Sequence, residues 1–378
     1  MTVPDPRDAH RSPGAADRAP ADGPAGAPPG PAGGLPVRPD RPRPHEPAPA
    51  PRGGGLRRAL LVLLALVLVL ALAAGAFAWL LGRTFDERRQ TTDAAFPAES
   101  VRPAAGSARD RGTTVLVLGA DQRPAGQEDP GVTGERADSI MLLHVPEEGG
   151  EVFVMSLLRD TWVSVPGVGE AKLNAALDAG GLPLVVRTVE DLVGVRVDEV
   201  AEVDFEGFAA LTDAVGGVTV DVPQDFVSNE GMVFEQGPEH MDGRRALEFV
   251  RERKAFAEGD YARVVNQRTY VAALLDRLTS PAVLLNPLRL HAVVHDFSPY
   301  LLVSEGLDAG MFAGLAPELV GVSGQDVRMF TAPTLGIGTS PDGQSVVLPD
   351  LAGTARIGDA VAAGELGDLV ATLEDEAP

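Results

Sequence analysis

The sequence predicts one α/β or α+β sandwich domain, held to a membrane by a single N-terminal helix. Three observations carry this prediction. Residues 59–81 are an unbroken apolar run, strand-like and helix-spaced segments alternate from residue 113 onward, and cysteine is absent from all 378 residues. The run supplies the helix and the alternation the layered fold. The lack of cysteine removes disulfides and thiol chemistry as its basis.

Residues 1–58 are dominated by Pro, Gly, Ala and Arg. So few large apolar side chains cannot offset the entropy of ordering the chain, and this stretch is expected to be disordered. The run at 59–81 has no charge and lacks the polar stripe of a buried core helix. At about 1.5 Å per residue it reaches roughly 34 Å, enough to cross a hydrocarbon core with some tilt. Arg52, Arg57 and Arg58 precede it, whereas Arg83, Arg88 and Arg89 beyond it are partly offset by Asp86 and Glu87. That asymmetry predicts a cytoplasmic N-terminus and an extracytoplasmic C-terminal domain, with Trp79 at the far interface. A cleaved signal peptide has a shorter apolar core and a shorter leader, so an uncleaved single-pass anchor in the cell membrane is expected.

The formal net charge is −22, and the tail is slightly basic, so the acidic excess lies beyond the span. Broad nucleic-acid binding needs a basic face and is excluded. A local arginine cluster around a phosphate is not.

Residues 82–112 are polar and Pro-containing and read as a linker. Strands are predicted at Thr113–Gly119, Ile140–Val145 and Val152–Leu158. The last two form a hairpin across 146–150, and all are apolar enough to be covered on both faces. Pro183 opens a helix over 183–193. A strand at Glu199–Asp204, a helix at Glu206–Val215 stopped by Gly216-Gly217, and a strand at Val218–Val222 follow. A helix near Gly243–Val250 leads into Arg251-Glu252-Arg253. Tyr261–Leu278 is the clearest amphipathic helix, with Val264, Val271, Leu275 and Leu278 as its apolar stripe. The main domain is expected at 113–280. Residues 281–352 either complete it or form a small lobe, and 353–378 read as an Ala-, Gly- and acid-rich tail whose last residues fray.

Charged residues collect at the ends of these elements. Asp121 and Arg123 follow the first strand, Arg136 and Asp138 precede the second, and Arg159 and Asp160 end the third. Lys172 and Asn174 come soon after. The richest group is Arg251, Arg253, Asp260, Arg263 and Gln267. Strand ends of α/β proteins meet at one rim, where ligands bind. Guanidinium forks match phosphate oxygens, and carboxylates hold the Mg²⁺ that neutralises the rest, so phosphate chemistry is indicated. An extended Arg251–Arg253 would turn both arginines to one face, and Arg263 and Gln267 share a helix face. Each also has a plainer reading: Asp260 as an N-cap, Arg159-Asp160 as a surface pair, Arg251 and Arg253 as solvated charge, Asp121 as a turn residue. His144, inside an apolar strand, reads as a packed histidine. No zinc-like spacing, G-x-S-x-G or P-loop is present.

Six segments in order carry a resemblance. They are VLVLGADQR (115–123), RADSIMLLHV (136–145), VMSLLRDTWVSVPG (154–167), KLNAALDAGG (172–181), VDFEGFAALTDAVGGVTVDV (203–222) and MDGRRALEFVRERKAFAEGDYARVVNQRTYVAALL (241–275). Together they resemble the LytR–CpsA–Psr family of bacterial cell-wall enzymes. The resemblance implies an α/β/α-like sandwich with a central mixed β-sheet and a mostly apolar pocket. It implies transfer of a glycopolymer phosphate from a polyprenyl-pyrophosphate carrier to peptidoglycan, with Mg²⁺ or Mn²⁺. Carried over by motif, Asp121 and Asp138 are the metal carboxylates. Arg159, Arg251, Arg253 and Arg263, with Gln267 and Lys172, are the pyrophosphate contacts. Asp121, Arg159 and Asp260 take catalytic roles, Asp121 being the first candidate for the base, and Arg123 and Arg136 support the acids. One departure concerns geometry: Leu158 stands where the family commonly has proline, which predicts a looser approach to Arg159. The competing readings are a lipid-pyrophosphate glycan hydrolase and a non-catalytic anchored scaffold for lipid-linked polymers. Oligomeric state is not readable from these residues.

Overall fold

Helix α1 (Gly54–Arg88) contains the apolar run and continues past it. The computed structural model describes residues 54–104, 111–120, 137–256, 260–319 and 321–375. Every contact below lies within the unit formed by residues 63–378. The disorder expected of residues 1–53 falls outside the described residues. Within α1, Leu63–Arg88 is long and apolar enough to cross a membrane, with mean hydropathy 2.6, and is the one membrane-spanning segment among the described residues.

Beyond α1 come β1 (Gln90–Thr92), β2 (Gly112–Ala120), β3 (Ala137–Pro146) and β4 (Val152–Leu157). A hairpin of β5 (Trp162–Val165) and β6 (Gly169–Lys172) leads to α2 (Ala175–Val193), β7 (Glu199–Val203), α3 (Phe205–Ala214) and β8 (Val218–Val222). The short pair β9 (Phe226–Val227) and β10 (Val233–Phe234) precedes β11 (Gly237–Met241), α4 (Gly243–Arg251) and α5 (Asp260–Thr279). Then follow α6 (Pro281–Leu284), α7 (Pro287–Phe297), β12 (Leu301–Ser304), α8 (Ala309–Leu319) and β13 (Val327–Thr331). The hairpin β14 (Thr334–Thr339) and β15 (Ser345–Pro349), then α9 (Leu351–Ala363) and α10 (Leu366–Asp375), end the described chain.

Seven strands form the central sheet in the order β1-β12-β7-β2-β3-β4-β13. The sheet is mixed. The pairs β2–β3, β3–β4 and β7–β12 are antiparallel, whereas β2–β7, β1–β12 and β4–β13 are parallel. The expected hairpin and the expected layered fold are both present. Side chains alternate between the faces, so each strand serves two layers. Leu116, Leu118, Ile140, Leu142, Met155 and Leu157 face a core shared with α2, α9 and α10. Val115, Val117, Leu143 and Val203 turn to the other face. Over that side lies a second cluster built by β8, β9, β10, β11, α4 and α5, with Phe226, Phe234, Phe249 and Tyr270 among its rings.

Three boundaries differ from the sequence reading, and one open alternative is settled. Residues 82–112 are more than a linker: β1 pairs with β12, Ala95 is buried, and Arg102 forms a buried ion pair with Glu190 at 2.8 Å. Residues 281–352 complete the main domain, since β12 and β13 are strands of its sheet. The stretch from 353 is more than a tail, because α9 buries Ile357, Ala360 and Val361 and α10 buries Leu366 and Val370; residues 376–378 lie outside the described residues. Its small residues serve close approach: a Cβ at Gly358 would lie 2.3 Å from the Val193 carbonyl oxygen. Finally, α2 begins at Ala175 and kinks at Gly180 and Gly181, the latter at φ 64°, so Pro183 opens only its second segment.

Candidate functional site

Val117, Met141 and Val203 turn away from the first core and do not meet a closed layer. Between them and α3, α4 and α5 lies a cavity of about 540 Å³. Its apolar wall is completed by Phe208 and Leu211 of α3, Leu247 of α4, and Val271 and Leu274 of α5. The polar wall is arginine. Arg159, Arg251, Arg253 and Arg263 all line this cavity, together with Gln267. Five residues spread over 109 positions of sequence are thus brought to one place by strand end, helix end and helix face.

Each is held by ordinary local structure. Arg159 follows β4 in a turn closed by the Leu158 carbonyl, which accepts from the Thr161 N–H at 3.0 Å and its hydroxyl at 2.6 Å. The Asn174 N–H in turn donates to the Arg159 carbonyl at 3.0 Å. Leu158 itself is buried against Val264 and Val347. Packing and hydrogen bonds thus hold this turn in the absence of proline. Asp160 bridges the neighbouring cations, 3.1 Å from Lys172 Nζ and 3.8 Å from Arg159 Nε. Lys172 does not line the first cavity; it lines a second one that Arg159 and Arg253 also border.

Arg251 ends α4, and its guanidinium lies 4.2 Å above the Phe205 ring, a cation–π contact that orients it. Glu252 is extended (φ −68°, ψ 131°), so the segment leaves the helix there and Arg253 lines the same cavity as Arg251. Glu252 points elsewhere. Its buried carboxylate accepts from the backbone N–H groups of Asn229 (2.6 Å), Arg253 (2.9 Å), Lys254 (2.6 Å) and Ala255 (3.0 Å). Burial alone would raise its pKa, but these four donors together hold it below the usual carboxylate value. Glu252 was not singled out from sequence, although an acid between two arginines was a usable signal.

On α5, Arg263 is buried at 4% exposure, and Gln267 donates to the Val250 carbonyl at 3.5 Å. Tyr270 bonds Thr212 at 2.6 Å, tying α5 to α3. Val271, expected in a separate apolar stripe, lines the cavity with Gln267. Along α5 the lining passes from Arg263 and Gln267 to Val271 and Leu274, so a polar and an apolar end lie roughly 16 Å apart along the helix axis. The described carboxylate in the lining is Asp204, which is engaged as the N-cap of α3, accepting from Gly207 N–H at 2.6 Å. Four guanidiniums therefore face the cavity with one committed acid, a field suited to a multiply charged anion.

Asp121, Arg123 and Arg136 lie outside the described residues. Asp138 falls at a β-bulge in β3 opposite Gly119 and Ala120, and Asp260 is the first residue of α5; their side chains are outside the described residues. Among the described residues no group of three or more metal-ligating side chains gathers. His144, as expected, is a packed residue: buried, 3.0 Å from the Thr114 hydroxyl, with its pKa lowered to about 4 by burial.

The profile of the LytR_cpsA_psr family matches residues 82–350. The chain belongs to this family. Among curated LytR_cpsA_psr relatives, the Corynebacterium glutamicum "probable cell wall biosynthesis protein LcpB" is 39% identical over 225 residues, 57% of this chain and 53% of that protein. The same organism's "cell wall biosynthesis protein LcpA" is 31% identical over 292 residues, 65% of this chain and 55% of the other. A polyisoprenyl-teichoic acid–peptidoglycan teichoic acid transferase, TagU of Oceanobacillus iheyensis, is 37% identical over 44% of this chain and 51% of its own. The chain thus spans about half the length of the curated relatives it matches. Among solved structures, Bacillus subtilis TagV superposes with TM-score 0.56 at 25% identity, covering 68% of this chain and 98% of TagV. A LytR-Csp2A-Psr enzyme from Actinomyces oris gives 0.57 at 22% identity, over 73% and 96%, a likeness of fold.

Proposed function

We propose that this protein transfers a glycopolymer phosphate from a polyprenyl-pyrophosphate carrier to peptidoglycan, at the outer face of the cell membrane. The observation that carries the reading is the convergence of Arg159, Arg251, Arg253, Arg263 and Gln267 at an apolar cavity of about 540 Å³. A cavity of this size and lining suits a ligand with an anionic end and a hydrocarbon end. Polyprenyl pyrophosphates have that form. The relatives named as cell-wall biosynthesis proteins and as a teichoic acid transferase support the same reaction class.

In the reaction an acceptor hydroxyl attacks the phosphorus that bears the glycan. A new O–P bond forms, the bridging P–O bond breaks, and polyprenyl phosphate leaves. The hydroxyl proton passes to a carboxylate, for which Asp121 is the first candidate. Arg251, stacked on Phe205, and the buried Arg263 offer fixed donors to the charge that accumulates on the phosphoryl and leaving oxygens. Lys172, 3.1 Å from Asp160, stands at the edge of this group as a further cation.

A Mg²⁺ ion at Asp121 and Asp138 belongs to the proposal and rests on those two positions alone; when bound it would neutralise phosphate charge. The described lining supplies arginines rather than free carboxylates, so the anion-binding role is theirs with or without the ion. The arginine asymmetry about α1 supports a cytoplasmic N-terminus.

The test uses the full-length chain in detergent with a lipid-pyrophosphate glycan, a peptidoglycan acceptor and Mg²⁺, beside Arg251→Ala. Acceptor-linked product from the parent protein, lost in the variant, is expected. Release of lipid phosphate with no linked product would instead identify a hydrolase. Carrier binding without either product would make the protein a scaffold.

A further inference from the structure

Arg159 and Arg253 line two cavities. The second measures about 500 Å³, and its remaining walls are of a different kind, with Trp162, Asp178, Asp342 and Gln344 among them. Where the first cavity is walled by aliphatic and phenyl side chains, this one is walled by an indole, carboxylates and amides.

Its construction uses a part of the chain that the sequence reading could not assign. In β5, Trp162 pairs across the hairpin with Lys172. The β14–β15 hairpin docks beside it: the Val347 N–H donates to the Asp160 carbonyl at 2.9 Å, and Thr161 bridges Val347. This docking brings the 340–344 turn to the cavity. The turn is internally fixed. The Gly343 N–H donates to the Ser340 carbonyl at 2.9 Å, with Gly343 at φ +87°, and the Gln344 N–H donates to the Ser340 hydroxyl at 2.9 Å. Gln344 Nε2 donates to Asp342 at 2.6 Å. Asp342 and Gln344 are thereby held together as a polar pair on an exposed tip. Across the cavity, Asn174 stands at the start of α2 without using its side chain as a cap.

Two arguments identify the occupant. Planar carboxylates and amides near one indole are the groups that grip a sugar, bonding its hydroxyls while the ring covers its apolar face. The second is stereochemical. In-line displacement at phosphorus requires the attacking oxygen opposite the leaving one. If the leaving lipid phosphate sits in the apolar cavity, the attacking hydroxyl must enter from the other side of the arginines.

We propose that the second cavity is the acceptor subsite, binding a hydroxyl-bearing glycan strand through Trp162, Asp342 and Gln344 and delivering its hydroxyl between Arg159 and Arg253. This rests on the transferase reading above. It adds a specificity role for the β14–β15 tip and for Trp162.

The sequence has two tryptophans, Trp79 and Trp162. In full-length Trp79→Phe protein, Trp162 becomes the only indole reporter. Titration with a soluble N-acetylglucosamine–N-acetylmuramic acid tetrasaccharide is expected to give a saturable fluorescence change, weakened in Gln344→Ala. In turnover assays, Trp162→Ala and Gln344→Ala are each expected to raise the acceptor KM by about tenfold or more, with the carrier KM within about twofold of the parent. Unchanged melting temperature separates this from misfolding, and Gln344→Ala, at an exposed turn, guards against a folding defect in Trp162→Ala. Turnover with an unchanged acceptor KM in both variants overturns the subsite while leaving the transferase standing. Tetrasaccharide binding at Trp162 without turnover overturns the transferase and leaves a glycan-binding cavity that is not an acceptor subsite. Absence of both sinks the two together.

Discussion

The two faces of the central sheet are made from the same strands and end in different states. On one, Leu116, Leu118, Ile140 and Leu142 meet α2, α9 and α10 in a closed core where most side chains are fully buried. On the other, Val117, Met141 and Val203, one residue out of phase, meet a cavity. Apolar character does not distinguish them. What differs is the layer placed opposite: a close-packed one, in which Gly358 lets α9 lie against the end of α2, and one in which α3, α4 and α5 leave a cavity over the sheet. Stability resides in the first face and ligand space in the second.

The largest test of that division is functional. Arg263→Ala removes a buried donor from the open face and is expected to lower transfer by about 10²–10³-fold. Arg251→Ala, an exposed residue stacked on Phe205, should approach the same loss with its melting temperature kept. A loss of under about tenfold for both, measured as linked product per unit time, would remove the arginines from the chemistry.

Truncation on the two faces should separate next. Leu118→Ala, on the closed face, is expected to cost about 2–5 kcal/mol, because the site cannot collapse around the void. Met141→Ala, bordering an existing cavity, should cost under about 1 kcal/mol. Denaturant unfolding of the detergent-solubilised chain reads both, and equal costs would mean the open face is packed as tightly as the other. Gly358→Ala comes between them. Its added Cβ meets the Val193 carbonyl oxygen at 2.3 Å, so α9 must shift, at an expected cost of about 1–3 kcal/mol.

Much of this architecture was legible in the sequence, for identifiable reasons. The apolar runs of β2, β3 and β4 named central strands, and arginines at the ends of predicted elements named residues that the fold brings to one cavity. What was not legible depends on approach distance. The Ala/Gly-rich C-terminal stretch read as a tail, yet Gly358 makes contact by being small. Residues 90–92 are too few to signal a strand, and β1 exists because β12 lies beside it. Glu252 was not singled out between its two arginines, and only the chain's turn back over its carboxylate buries it. The cavity itself is a property of spacing between layers, which periodicity does not encode.

The most discriminating expected effect is in acid. Each face carries one buried titratable group whose pKa is lowered, but the two should act in different pH windows. His144 belongs to the closed face, where burial takes it from 6.5 to about 4. The unfolded chain therefore binds a proton that the folded chain refuses, so the contribution is complete above pH 6.5 and declines as the pH falls toward 4. At pH 5 the loss is of order 1–2 kcal/mol. Glu252 is held below 4.5 by its four backbone donors, so its contribution is complete above that value and is lost only as the pH falls further. Acid should consequently loosen the closed face first and the arginine-bearing turn second. His144→Gln is expected to flatten the stability profile between pH 6.5 and 4, and Glu252→Gln to flatten only the limb below 4.5. A profile in which Glu252→Gln removes the slope near pH 5.5 would reverse that order and place the weaker layer on the cavity side.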